Sequence, residues 1–312
     1  MSDIPPINTL FSLDGKVALV TGGMFFLSSK SINEMRDSYA FVGSRGIGLH
    51  TATALLLAGC SIVIITGRAL ESKSSSTGPR TGINESLNAL NALPGIKGKA
   101  VGIASSAASA EEIQKLADRV KSDYGRLDIL VCNAGATWGG PFLEVPDWSS
   151  GKVLDLNVRG VFNLAQKFTP LLQSSGTPDD PSRIIVVSSV AASTVPHTGD
   201  NGTIIYSASK AAATHLARNL AIELAPRNIT VNTVSPGFFP SKLANGLIEN
   251  LGGEEAANKS NPRGRMGIPQ DIAGVMVWLC GKGGAYINGV QIEVDGGSRW
   301  GRGSSGRSDL KL

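Results

Sequence analysis

Six short apolar runs, spaced by longer amphipathic stretches, constrain this chain more than any other feature. They are Val17–Val20, Ile62–Ile65, Ile129–Val131, Ile184–Val187, Ile229–Val231 and Val290–Val294. Segments this short, rich in Val and Ile and apolar almost throughout, suit strands buried on both faces. Such strands belong to a mainly parallel sheet with helices on both faces, so the expected fold class is a doubly wound α/β sandwich. A hydrophobic content of 42% over 312 residues is enough to fill one large core, and residues 1–312 are read as a single domain.

The charge pattern narrows the function classes. A net charge of +4 permits an acidic partner, yet Lys and Arg are interspersed with acidic residues and no basic helix or zinc-finger spacing occurs. Nucleic acid is therefore not an expected partner. Cys60, Cys132 and Cys280 are far apart and sit among apolar residues, as buried thiols in a reducing compartment do. His50, His197 and His215 lack ligand spacing, so no metal site is expected. The first residues, with Asp3 and Pro5-Pro6, do not read as a secretory signal, and no apolar run approaches the roughly 20 residues of a membrane span. Cytosol is the expected location, with peroxisome the alternative because Leu310-Lys311-Leu312 shares two positions with Ser-Lys-Leu.

Three stretches break the alternation. Ser72 to Gly82 has the composition of a mobile surface loop, and residues 300–312 that of a disordered tail. The third is residues 24–43, an insertion where a strand should turn into a helix within a few residues. Without it, Thr21-Gly22-Gly23 joins Ser44-Arg45-Gly46-Ile47-Gly48, a glycine-rich turn that lets backbone approach a phosphate at a helix N-terminus. Gly23-Met24-Phe25 can be encoded with the donor-like string GTATGTT, and Phe41-Val42-Gly43 with the acceptor-like GTAG. The segment is accordingly read as a short in-frame intron translated as protein.

Tyr206-Ser207-Ala208-Ser209-Lys210 carries the chemistry. Residues four apart share a helix face, and a phenol with a pKa of ~10 needs a nearby positive charge to act near neutrality. Ser188-Ser189 follows the apolar run 184–187, upstream of that tyrosine. Taken in order, these motifs, with Asn157, Asn133-Ala134-Gly135, Pro236-Gly237 and Asp295-Gly296-Gly297, resemble the short-chain dehydrogenase/reductase family over about Leu13 to Gly297. Gly237–Ser241, Gly264–Gly267 and Gly284–Tyr286 are most similar to 3-oxoacyl-acyl-carrier-protein reductases of the rhamnolipid-pathway type.

The resemblance implies a Rossmann-type fold and an oxidoreductase that moves hydride between a nicotinamide cofactor and a carbonyl or alcohol. It implies a catalytic set of Asn157, Ser189, Tyr206 and Lys210, with Lys210 lowering the phenol pKa and Asn157 holding a water. The cofactor would be held by Thr21, Gly22, Gly23, Ser44, Arg45, Gly46, Ile47, Gly48, Arg68, Asn133, Ala134, Gly135, Tyr206, Lys210, Pro236, Gly237, Phe239 and Ser241. Arg68, aided by Arg45, stands where an acid would bind the ribose of NAD, which favours NADP(H) over NAD(H). Two departures are a Cys at position 132 in place of the first Asn of that motif, and no Asp near Ile103-Ala104-Ser105. The expected partner is a small-molecule carbonyl or alcohol substrate, and the expected assembly a homodimer or homotetramer through the tyrosine-bearing helix and last strand. Alternatives are a non-catalytic Rossmann-fold protein silenced by residues 24–43, or an alcohol or polyol dehydrogenase.

Overall fold

A computed structural model describes residues 4–22, 46–71, 83–195, 198–240, 248 and 253–301. Residues 24–43, the 72–82 loop and the tail past 301 lie outside the described residues, as do Gly23, Ser44, Arg45, His197 and Ser241. The elements in chain order are β1 (Val17–Thr21), α1 (Ile47–Leu57), β2 (Ile62–Gly67), α2 (Asn84–Asn91), β3 (Lys99–Ala104), α3 (Ala110–Tyr124) and β4 (Ile129–Cys132). There follow α4 (Asp147–Leu154), α5 (Gly160–Ser175), β5 (Ser182–Val187), α6 (Ile204–Leu224), β6 (Ile229–Pro236), α7 (Glu254–Lys259), α8 (Pro269–Cys280) and β7 (Gln291–Val294). A π-helical turn, Asp155–Arg159, joins α4 to α5.

The seven strands form one sheet in the order β3-β2-β1-β4-β5-β6-β7, and every pairing is parallel. All six apolar runs lie in strands or, for Val290, at a strand's edge. β3 is the strand they omit: at the sheet edge, interrupted by Gly102 and mostly half-exposed, it carries no continuous apolar signal. Two cores flank the sheet. On one side Val20, Val63, Val131 and Val234 meet Ala52 and Leu56 of α1 and Met276 and Leu279 of α8. On the other, Leu19, Leu130, Ile184 and Val231 meet Ile113 of α3, Phe168 of α5 and Ala217 of α6.

Helix α3 illustrates how sequence sets these boundaries. Ser109 caps it, accepting from the Glu112 N–H at 3.2 Å, and Glu111 and Glu112 sit at the positive end of its dipole. Gly125, with φ +68°, ends it in the left-handed conformation. Ile113, Leu116, Ala117 and Val120 form the buried stripe between.

The sheet order reverses between β1 and β4: the chain proceeds outward through β2 and β3, then returns to the other side of β1. In open α/β sheets ligands bind beyond the carboxyl ends of strands at such a reversal. The carboxyl ends of β1 and β4 are Thr21 and Cys132, so the topology brings Gly22 and Asn133-Ala134-Gly135 to one crevice.

Candidate active site

The crevice is built around two asparagines. Asn133 spans the sheet reversal: its Nδ2 donates to the carbonyls of Thr21 at 3.0 Å and Gly22 at 2.7 Å. The Thr21 hydroxyl in turn accepts from the N–H groups of Asn133 and Ala134 at 3.1 and 3.2 Å. The backbones are packed too closely for side chains. A β-carbon on Gly22, whose φ is +57°, would lie 2.7 Å from the Ala134 β-carbon; one on Gly48 would lie 2.6 Å from Asn133 Nδ2 and 2.9 Å from the Gly22 carbonyl. Gly22 and Gly48 therefore lie against the same asparagine. Gly46, with φ +110°, stands at the N-cap of α1, and its carbonyl accepts from the N–H of Leu49 at 2.9 Å. A helix N-terminus beside a glycine cradle suits a pyrophosphate, and the described residues fit a dinucleotide. Arg68 is exposed just past β2, and Ser105 N–H meets the Gly67 carbonyl at 2.9 Å, so the two strand ends that would border adenosine lie together.

Asn157 fixes the other half. Buried in the π-helical turn, its Oδ1 accepts from the Ala136 N–H at 2.8 Å, while Nδ2 donates to the Ala136 carbonyl and to Ser209 Oγ, both at 2.9 Å. Ser209 Oγ donates to the Tyr206 carbonyl at 2.7 Å. Both amide hydrogens are thus spent on protein, and the side chain ties the loop after β4 to α6. Neither the π turn nor the Ser209 link was visible in the spacing of the motifs, since both depend on which segments meet in space.

Tyr206 and Lys210 share a face of α6, with Lys210 Nζ 5.8 Å from the phenol ring centroid. Lys210 is buried and donates to the Val187 carbonyl at 2.9 Å. Burial pulls its pKa down to about 8. The Ser189 hydroxyl favours the phenolate, but burial acts more strongly and raises the phenol. Desolvation is the largest influence on the phenol, and the Lys210 ammonium is held on a main-chain carbonyl, at a distance from the ring. Ser189 also caps the turn after β5, accepting from the Ala191 N–H at 3.2 Å. Ser188 locks α6 onto β5 through the Lys210 carbonyl at 3.1 Å and the Thr214 hydroxyl at 2.9 Å. Gly135 closes the group, since a β-carbon there would approach Asn157 Oδ1 at 3.3 Å and Lys210 Nζ at 3.4 Å.

Pro236 ends β6, and Gly237 passes β7 so closely that its β-carbon would lie 2.8 Å from that of Asp295. Asp295 accepts from the N–H groups of Gly297 and Arg299, both at 2.9 Å, which turns the chain after β7. Phe239 is buried. Among the remaining sequence candidates, His50 is buried in α1 and desolvation pulls its pKa down to about 4, whereas His215 is exposed. The three cysteines are free and buried, with burial pushing Cys132 and Cys280 up to about 12. No helix among the described residues is long and apolar enough to cross a membrane.

A seven-stranded, doubly wound parallel sheet with a glycine cradle at its reversal and a Ser-Tyr-Lys-Asn group beside it defines a nucleotide-binding α/β protein of the dehydrogenase class. A family model described as enoyl-(acyl carrier protein) reductase matches residues 42–299. The rhamnolipids biosynthesis 3-oxoacyl-[acyl-carrier-protein] reductase of Pseudomonas aeruginosa is 34% identical over 287 residues, 92% of this chain and 97% of that protein. The 3-oxoacyl-[acyl-carrier-protein] reductase FabG of Aquifex aeolicus is 33% identical over 287 residues, 91% of this chain and 98% of that protein. Among solved structures, the Pseudomonas aeruginosa RhlG/NADP active-site complex matches with a TM-score of 0.76 and 34% identity, over 93% of this chain and 99% of that one. The chain belongs to the short-chain dehydrogenase/reductase family, and is an oxidoreductase of the kind that moves hydride between a nicotinamide cofactor and a carbonyl or alcohol.

Proposed function

We propose that this enzyme uses NADPH to reduce the ketone of a 3-oxoacyl thioester, or a similar ketone, to an alcohol. The carrying observation is the gathering of Tyr206 and buried Lys210 on one face of α6 against the end of β5, where Lys210 donates to the Val187 carbonyl and Ser189 follows. Two hydroxyls side by side are suited to a carbonyl oxygen that gains charge. A phenol kept protonated by burial is a proton donor at neutral pH, so Tyr206 serves as general acid to the developing alkoxide. Ser189 holds the oxygen in line with that proton. Asn157, through Ser209 and Ala136, fixes the phenol-bearing helix against the cofactor loop. Nicotinamide dinucleotide, when bound, supplies the hydride. Gly22, Gly46 to Gly48 and Asn133 to Gly135 hold its phosphates and adenosine half, Lys210 its ribose, and Pro236, Gly237, Phe239 and Ser241 its amide end. Exposed Arg68, with Arg45, favours the 2'-phosphate of NADP.

Several further points belong to this reading. Exposed Ile204 and Ile222 on α6, and Tyr286 ahead of β7, support a homodimer or homotetramer. Free, buried thiols are compatible with a cytosolic enzyme. Residues 24–43 are a translated intron, supported by the close approach of Gly48 to Gly22 on either side of the segment. A silenced, non-catalytic protein is the second reading, favoured by the same segment lying inside the phosphate turn.

The test is NADPH oxidation by a 3-oxoacyl thioester, with enoyl thioester and polyol controls, using the full chain and one lacking residues 24 to 43. Ketone-dependent oxidation by the shorter chain, with weaker activity in the full one, is expected. NADPH fluorescence quenching without turnover on any substrate would establish the silenced reading, and no quenching by either chain would overturn the cofactor assignment.

A further inference from the structure

The segment leading into α8 contains a glycine whose bare α-carbon is covered by an aromatic ring. A β-carbon on Gly267 would lie 2.2, 2.3 and 2.6 Å from Cζ, Cε1 and Cε2 of Phe239. Carbon atoms in favourable contact are roughly 3.5–4.0 Å apart, so any side chain at 267 forces one partner to move.

The glycine side is braced. Gly267 N–H donates to the Phe238 carbonyl at 2.9 Å, and Met266 N–H to Asn258 Oδ1 at 2.8 Å. Arg265 donates to the Met266 carbonyl at 2.9 Å and pairs with Asp271 at 2.6 Å. The same Asp271 carboxylate accepts from the Ile268 N–H at 2.9 Å. Phe239 is the partner left to yield. Its ring is buried in the core cluster of Val234, Ile272 and Met276, while neighbouring Phe238 packs against the separate cluster of Ile248, Ala257 and Met266. A shift of the ring would carry with it the backbone just after Pro236-Gly237, which has no room against Asp295.

We infer that Gly267 is a positioning residue for the cofactor: its bare α-carbon seats the Phe239 ring, and that seat sets the path of Gly237 to Phe239 at the nicotinamide end of the site. The inference rests on the dinucleotide reading above. Gly267 acts at a remove, through packing alone, and controls affinity for NADPH more than the hydride step.

The experiment compares the full chain with its Gly267→Ala, Phe239→Leu and double variants, by NADPH fluorescence titration and by thermal midpoint in the absence of NADPH. Gly267→Ala is expected to weaken NADPH binding about tenfold, and the double variant to bind within about threefold of Phe239→Leu, as directly coupled neighbours do. If Gly267→Ala does not fold, recovery of both the midpoint and NADPH binding in the double variant carries the same result. Unchanged NADPH affinity in Gly267→Ala, or a defect that persists in the double variant, would overturn the seat. Failure of both the unsubstituted full chain and the one lacking residues 24–43 to bind NADPH would overturn the dinucleotide reading and this inference with it, and is distinguished by being seen before any substitution; where only the shorter chain binds, the same variants are compared in it.

Discussion

Strand β5 has a buried cation at each end, and the two are treated differently. At the amino end the Arg183 guanidinium is fully buried. Its Nε donates to the Leu279 carbonyl at 3.0 Å, and Nη2 to the Gly281 carbonyl at 2.9 Å and to Asp180 at 3.2 Å. It ties the sheet to the end of α8, and Lys16 steadies the shared Asp180 at 2.8 Å. At the carboxyl end the Lys210 ammonium donates to one carbonyl, that of Val187, and no carboxylate pairs with it among the described ion pairs. Arg183 spends most of its donors on structure, with only Nη1 left unpartnered. Burial depresses both cations, Lys210 to about 8, but Lys210 has no carboxylate among its described partners. A charge kept for packing is paired, whereas a charge kept for a ligand is left with donors to spend.

The largest effect expected from breaking this contrast is at the site end. Lys210→Met should lower kcat for ketone reduction on the order of 10²- to 10³-fold, as steady-state assays at pH 7 would register. It should not destabilise the fold there. The folded-state pKa of Lys210 lies below its unfolded value, so the unfolded chain binds the extra proton between about pH 8 and the ordinary lysine range. The native enzyme therefore gains stability as pH rises through that window, and Lys210→Met should lose the gain. The reduction rate of the native enzyme should also fall as pH rises through about 8, where the ammonium discharges. A smaller and opposite effect is expected at the amino end. Arg183→Ala should cost about 3–5 kcal/mol of stability, because Asp180 and two carbonyls lose a buried partner, with kcat per folded molecule nearly unchanged. Chemical denaturation checks the first, and active-site titration the second.

The contrast also marks how far the sequence could be read. Strands buried on both faces announce themselves, and they led to the doubly wound sheet; β3 escaped because an edge strand broken by Gly102 has no such run. Tyr206, Lys210, Ser189 and Asn157 were legible because each sits at a fixed place relative to an apolar strand or on one helix face. The Ser209 bridge, the Ala136 clamp and the seat of Phe239 on Gly267 were not, since each joins residues distant along the chain. Sequence displays the charge neighbouring Tyr206, while the burial that acts on the phenol in the other direction appears only once the chain is folded.

The central claim is that Tyr206 is the proton donor to the reduced carbonyl. Single-turnover reduction of a 3-oxoacyl thioester by Tyr206→Phe, with NADPH affinity measured alongside, tests it most directly. The account predicts unchanged NADPH binding and a rate lowered by about 10³-fold or more. A phenylalanine enzyme that reduces the ketone at near-native speed would contradict it.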